Sequence, residues 1–342
     1  MRAYFKAADL WLRARHGPAY RWAHLIAPLA VLVLAVVLRG SPGGLADEIK
    51  NRVFDQLQRW QPRPYEPLPV RVVDIDDQSL AKLGQWPWPR TLLARLVDAL
   101  GRQGAAVVSF DVLFSEPDRT SPARVASLWP DSPAARAMKE QLKSLPDHDL
   151  LFAKVMERVP VVGAFSLLGE KNGMTPAAKA HFSIGGDSPL PFVPAFLGAV
   201  VPLRVLENAA AGNGSMDFIP EPDGIVRRAP LLFRCGKALL PALSIEALRV
   251  AQGANAYAVK ASGYKQASRE EVAKSMAKGD GGASQERRVD RVTENFGQHT
   301  GISKIKVGKL IIPTDQNGRV WVYYTAAAPE RTVPAWCVFD KK

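Results

Sequence analysis

A chain of 342 residues, 47% of them hydrophobic, can hold one large globular domain or two ordinary ones, with apolar residues enough for a buried core. Its net charge of +12 invites a nucleic-acid partner, but the basic residues are scattered, concentrating only before residue 22 and across residues 260–291. No recognisable nucleic-acid module accompanies either concentration, and nucleic acid is excluded as a partner on that ground. Cys235 and Cys337 could pair in an oxidising compartment, but two cysteines far apart make neither a disulfide framework nor a thiolate metal site.

Residues 1–21 carry Arg2, Lys6, Arg13, Arg15 and Arg21 against a single Asp9, and no Asp, Glu, Lys or Arg then occurs before Arg39. The apolar run at residues 22–38 is at the short end for a membrane-spanning helix, and the flanking arginines can snorkel to the headgroups. With positive charge gathered before the span, residues 1–21 are expected to be a cytoplasmic tail and the rest to be exported. A cleaved leader is the alternative. Gly44-Leu45-Ala46 supplies small residues for a cleavage site, but the leading segment is long, so a retained anchor in the cytoplasmic membrane is the expectation.

Residues 39–69 read as a helical stalk and a proline-rich lead-in. Ser41-Pro42-Gly43-Gly44 breaks the preceding helix, and residues 45–60 place Ile49, Val53, Phe54 and Leu57 on one side, expected to pack on the domain. Pro62, Pro64, Pro67 and Pro69 stiffen the way into the first strand. That strand, Val70-Arg71-Val72-Val73-Asp74, runs into Ile75-Asp76-Asp77 and then Gly84-Gln85-Trp86-Pro87-Trp88-Pro89-Arg90. A helix is predicted over 91–102, with Thr91 as its cap and Gly104 after its end, followed by a strand over 105–111 that again ends in acid. Strand, helix and strand of these lengths predict a βαβ unit with two neighbouring parallel strands.

A polar insert over 119–146 follows. Asp147 then caps a helix over 150–158, which leads to a strand over 159–166 and a parallel sheet of at least three strands. Further on, strands at 214–220 and 225–233 flank the turn Glu221-Pro222-Asp223-Gly224, and a hairpin is predicted between 310–312 and 320–324 through Asp315-Gln316-Asn317-Gly318. A helix over 244–252 and a polar, Gly- and Lys-rich insertion over 261–300 lie between them. The expected fold class is α/β: a mainly parallel sheet with flanking helices plus antiparallel β-hairpins, preceded by one N-terminal transmembrane helix.

Open α/β sheets bind ligands at the carboxyl ends of their strands. The candidate ligand-binding residues are therefore Asp74, Asp76, Asp77, Arg90, Asp111, Glu116 and Asp118, with Asp74, Asp76, Asp111 and Asp118 expected to crowd one end of the sheet. Crowded carboxylates repel, so Arg90 or a metal is expected among them. A divalent cation on Asp74, Asp76 and Asp111 is the one cofactor the residues suggest, since hard cations prefer carboxylate oxygen. The plainer reading is that these acids cap helices and turns, bind backbone N–H groups or pair with Arg90, and it is the commoner use of strand-end acids. Asp74-Ile75-Asp76 also resembles the nucleophile and acid pair of haloacid dehalogenase-like phosphatases, which makes a metal-dependent phosphoesterase the alternative function. Gln78, however, stands where that family wants a small hydroxyl residue. His148, His181 and His299 lie in polar stretches without a Gly-x-Ser-x-Gly motif, which speaks against a serine hydrolase. Trp86, Trp88, Trp129 and Trp336 could line an aromatic pocket, though such residues more often fill a core. Of Arg227 and Arg228, adjacent on a strand, only one can face inward.

Several blocks in one order carry a family resemblance. They are Phe54-Asp55, Asp74-Ile75-Asp76-Asp77-Gln78-Ser79-Leu80, Leu83-Gly84-Gln85-Trp86-Pro87-Trp88-Pro89-Arg90, Phe110-Asp111-Val112-Leu113-Phe114-Ser115-Glu116-Pro117-Asp118, Asp223-Gly224-Ile225-Val226-Arg227-Arg228, Pro241-Ala242-Leu243, Ile312-Pro313-Thr314-Asp315 and Val333-Pro334-Ala335-Trp336. Together they resemble the CHASE domain of the second type, the extracellular sensory region of bacterial nucleotide cyclases, histidine kinases and related receptors. The resemblance implies a non-enzymatic sensory domain over residues 70–336, outside the cytoplasmic membrane; which small-molecule or envelope ligand it binds, or which envelope condition it senses, the resemblance does not supply. In such receptors a further strand, membrane helices and a cytoplasmic output domain follow the Val-Pro-Ala-Trp block, whereas residues 337–342 close this sequence. No cyclase or kinase motif is present, so a truncated receptor, or a sensor acting as a homodimer or through a separate output protein, is expected. An envelope interaction domain that senses nothing is the remaining alternative.

Overall fold

The computed structural model describes residues 28–33, 45–262 and 301–340. The chain divides into two compact units, one formed by residues up to Tyr65 with Tyr323–Ala326, the other by Glu66–Val322 with the residues from Ala327 onward.

In the first unit, α1 (Leu45–Trp60) has the range its apolar spacing predicts, with Asp47 and Glu48 in the first turn and Arg59 in the last, complementing the helix dipole. Phe54 packs edge-on against Tyr323 with centroids 5.9 Å apart, and the Arg63 guanidinium lies 6.0 Å from the same ring. The rest of the predicted packing side is open: Ile49, Val53 and Leu57 are each more than half exposed. Residues 28–33 are helical. Among the described residues no helix is long and apolar enough to cross a membrane, and most of the predicted span at 22–38 lies outside them. The insertion predicted at 261–300 lies almost wholly outside them as well.

The second unit is mixed α/β. In chain order it contains β1 (Val72–Asp74), α2 (Asp77–Leu83), α3 (Arg90–Arg102), β2 (Val108–Ser109), α4 (Pro122–Ser127), α5 (Pro133–Lys143), α6 (His148–Met156), β3 (Val161–Leu168), β4 (His181–Gly185), β5 (Ala195–Phe196), β6 (Gly198–Val200) and α7 (Arg204–Ala209). Then follow β7 (Gly212–Ser215), β8 (Arg228–Pro230), β9 (Leu232–Cys235), β10 (Ala238–Pro241), α8 (Leu243–Ala251), β11 (Ala256–Ala261), β12 (Ile302–Val307), β13 (Leu310–Pro313), β14 (Arg319–Trp321), β15 (Thr332–Pro334) and α9 (Cys337–Asp340). The polar insert expected at 119–146 contains α4 and α5, each opened by a proline in its first turn, where a missing N–H costs nothing.

β3 is the spine. It is buried almost throughout, as its unbroken apolar run demands, and pairs in parallel with β2 on one side and β7 on the other, while β6 runs antiparallel to its second half. The other strands form small separate sheets rather than extending one mainly parallel sheet: β13-β12-β11-β4, β10-β9-β5, β14-β8 and β1-β15. The expected pairing of the first two strands does not form. β1 does not hydrogen-bond β2; it pairs in parallel with β15, Val72 opposite Thr332, and the Asp74 carbonyl accepts from Ala335 N–H at 2.8 Å. β2 is too short to serve a second neighbour, and its flanking N–H groups at Val108 and Phe110 donate to Pro160 and Val162 on the β3 side.

The turns at Asp223-Gly224 and Asp315–Gly318 form as predicted, Gly224 and Gly318 taking the positive φ these turns require. The strands around them, however, choose other partners. β13 folds back on β12 through the tighter turn at Gly308, β14 pairs with β8, and β7 joins β3. Two apolar cores result. One packs Leu93, Leu96 and Val97 of α3 against Phe152 and Met156 of α6, Leu206 of α7, Trp88 and Phe114; the other gathers Phe165, Leu232, Phe233, Ile245, Tyr257 and Ile305.

Candidate functional site

The first turn of α3 has no cap of its own. Pro89 precedes it and offers no side-chain acceptor, and Thr91, the expected cap, lies inside the helix. The cap comes instead from Asp118, whose Oδ2 accepts the Arg90 N–H at 2.7 Å. Around this contact lies a buried cluster of charged groups. The Arg90 Nε donates to Asp149 Oδ1 at 3.1 Å, its Nη2 donates to the Glu116 carbonyl at 3.1 Å, and the guanidinium stands 4.3 Å from the centre of the Phe114 ring. Asp149 Oδ2 accepts the Asp118 N–H at 2.9 Å, and Asp118 Oδ1 accepts both the N–H and the hydroxyl of Thr120 at 2.8 Å. His148 Nδ1 lies 3.3 Å from Asp118 Oδ2, and its backbone N–H donates to Ser121 Oγ at 3.0 Å. Arg90, Asp118 and Asp149 are all more than nine-tenths buried or close to it, so one cation faces two carboxylates with His148 at the edge.

Burial pushes the Asp118 carboxyl up. The N–H groups of Arg90 and Thr120, the Thr120 hydroxyl and the charge of His148 together outweigh that and hold it below the ordinary carboxylate value of 3.8. A carboxylate depressed in the folded state contributes stability above its unfolded value, and that stability is lost as pH falls through the folded one. The expected result is unfolding free energy that falls below about pH 4, less steeply in Asp118→Asn, which starts from lower stability; acid titration of the denaturation midpoint checks both.

The seven candidate residues do not form one site. Arg90 and Asp118 meet in the cluster, and Glu116 joins through its carbonyl while its residue is exposed. Asp74, Asp77 and Asp111 are exposed, and no hydrogen bond or ion pair links any of them to Asp118 among the described residues. Asp76 Oδ1 accepts the Ser79 N–H at 2.8 Å and caps α2; hydrogen bonds from Ser79 hold its carboxyl below the usual range. Asp76→Ala should lower stability by removing this cap, read as a lower midpoint in a urea denaturation curve. Among the described residues no group of three or more His, Cys, Asp or Glu is arranged to hold a metal ion. Asp149, Thr120 and Ser121 carry no sequence motif, and His148 stands out in the sequence only as a histidine in a polar stretch. The one available signal was Asp147-His148-Asp149 at a helix start, where Asp147 was rightly read as the cap: its Oδ1 accepts the Asp149 N–H at 2.7 Å.

The other singled-out residues serve packing. Trp88 is core, its Nε1 donating to the Gly84 carbonyl at 2.7 Å, with Trp86 edge-on beside it; the Trp336 backbone N–H donates to Ser79 Oγ at 3.2 Å, and the Trp129 backbone carbonyl accepts from Lys139. Arg227 is the inward member of its pair, buried and bidentate to Asp223 at 2.9 and 2.7 Å, while the Arg228 guanidinium lies 4.4 Å from the centre of the Trp321 ring. The Arg227 guanidinium holds the Asp223 carboxyl at about 2. Both cysteines are free thiols.

Among the described residues, the buried charges of Arg90, Asp118, Asp149 and Arg227 are engaged in hydrogen bonds and ion pairs that hold the fold together. The family model of the CHASE2 domain matches residues 29–341, and the chain belongs to the CHASE2 domain family, a family of extracellular sensory domains. No curated protein and no solved structure gives a significant match to it.

Proposed function

We propose that this chain is a membrane-anchored sensory input domain of a bacterial signal-transduction receptor. It faces outward from the cytoplasmic membrane, and its signal is read by an output unit lying outside these residues, in a homodimer or through a separate output protein. The family match over residues 29–341 carries the reading. The run from residue 22 to 38, free of Asp, Glu, Lys and Arg and preceded by basic residues, supports the anchor and its orientation. The buried cluster ties α3, α6 and the 114–121 loop together, and a signal would pass as a shift between two conformations that a ligand can bias only by binding them unequally.

The orientation is testable with one thiol. Leu128 is 81% exposed. In Leu128→Cys carried on Cys337→Ser, a membrane-impermeant maleimide added to intact spheroplasts should label the protein, which should also sediment with membranes after alkaline extraction. Labelling only after lysis would overturn the outward orientation, and release by alkali would overturn the anchor.

A further inference from the structure

An open cleft of about 630 Å³ lies between α6 and α7, in the size range of small-molecule sites. Ala153 and Met156 from α6 with Val205 and Ala209 from α7 form its apolar part, taken as the floor, and Asn208 joins the charged residues in its polar part. Its charged lining is unequal, with Lys154 and Arg158, one turn apart, against the single carboxylate of Glu157. One cation at the end of a helix is the ordinary complement of the dipole; the second exceeds that need. Lys154 has no hydrogen bond or ion pair among the described residues, and none of the candidate residues from the acidic motifs lines this cleft.

Arg158 is loosely held. Its Nη2 lies 3.7 Å from Asp98 Oδ1, while the other oxygen of Asp98 is bound to Arg102 at 2.6 Å. An anion in the cleft can therefore draw Arg158 away and leave Asp98 still paired. Asp98 belongs to α3 and Arg158 follows α6, so the exchange would remove one tie between the two helices that the Arg90–Asp149 pair joins at the opposite end of α6.

We propose that the α6–α7 cleft binds a medium-chain aliphatic carboxylate, with the tail on the apolar floor and the head group between Lys154 and Arg158. Two cations at the mouth of an apolar cleft match that amphiphile in charge and shape, whereas a neutral alcohol would satisfy only the floor and acetate only the mouth. The assignment deepens the sensory reading by giving it a ligand class, and its consequence for signalling rests on that reading; the binding itself does not.

The test uses the full chain, with octanoate, octan-1-ol and acetate as probes in thermal unfolding and calorimetric titration. Octanoate should bind saturably and raise the Tm, and the other two should not at equal concentration. Lys154→Gln/Arg158→Gln should weaken octanoate binding at least tenfold, and Ala209→Trp, which fills the floor, should abolish it. Far-UV circular dichroism confirms that both variants remain folded; should Ala209→Trp fail to fold, Val205→Phe takes its place. Equal shifts with octan-1-ol, unchanged octanoate affinity in the double variant, or no octanoate binding would each overturn the proposal. Outward labelling of Leu128→Cys together with no octanoate binding would leave the sensory reading standing and remove this ligand alone.

Discussion

Arg90→Met should destabilise the protein by about 3–5 kcal/mol, the cost of breaking a buried ion pair from one side. The substitution leaves Asp149 and Asp118 facing each other in a site from which water is largely excluded, with Asp118 N–H donating to Asp149 and no guanidinium between them. The Glu116 carbonyl loses its donor as well. Arg90→Lys should recover little, because one ammonium cannot reach Asp149 and the Glu116 carbonyl with the geometry of a guanidinium and lacks the flat face that lies over Phe114. Asp149→Leu combined with Arg90→Met should cost clearly less than the sum of the two single changes, since the pair is removed together. Guanidinium denaturation of the four proteins decides the matter. Strict additivity would mean that the two residues do not act as a pair.

Glu246→Leu is expected to be of similar size, about 3–5 kcal/mol, and it strikes the other core. Glu246 is fully buried, and both its oxygens are taken: Arg249 donates Nε to Oε2 at 2.9 Å and Nη2 to Oε1 at 2.6 Å, and the Tyr257 hydroxyl donates to Oε2. Removing the carboxylate strands a buried guanidinium that, among the described residues, keeps the carbonyls of Ala254 and Ala211, and it takes away the acceptor of a buried phenol. Desolvation, with Glu246 beside it, drives the Tyr257 hydroxyl well above its ordinary range, so ionisation of the phenol offers no relief. The neighbouring strand is shaped to the same carboxylate: a Cβ at Gly212 would stand 2.6 Å from Glu246 Oε1. Gly212→Ala should therefore destabilise in the same direction by a smaller amount and should be only partly relieved in the Glu246→Leu background, because the contact with Val250 Cγ2 at 2.9 Å remains. Denaturation midpoints measure both, and an undiminished Gly212→Ala effect in the double variant would show that the close approach is not what matters there.

Local structure was legible because its determinants are local. The apolar period of residues 45–60 marks α1, and the spacing of Leu93, Leu96, Val97 and Leu100 marks α3 to within a residue. Asp147 announces the start of α6, Asp223-Gly224 and Asp315–Gly318 announce their turns, and the continuous apolar run of β3 announces a strand buried on both faces. The warning that strand-end acids usually serve as caps also holds for Asp76, which caps α2. The adjacency of Arg227 and Arg228 was enough to say that one turns inward, although not which.

Partner choice was not legible, because it depends on what remains exposed once neighbouring elements have packed. β1 carries an alternation that suits any parallel neighbour, and the chain brings β15 to it from the far end of the sequence while β2 spends its hydrogen bonds on β3. The strands around Asp315–Gly318 part for β12 and β8 although the turn between them closes as expected. The acidic motifs suggest one cluster in the sequence, yet only Asp118 among their carboxylates enters the buried network, where it meets Asp149 and His148 from a helix start that no motif connects to it. The periodicity and turn chemistry of the sequence therefore determined which segments become helix or strand, and its ordered blocks determined the family. The tertiary structure alone decided which strands pair and which charges meet, since a hydrogen bond or ion pair between residues far apart in the chain gains its strength only after packing has brought the two groups together and removed the water between them.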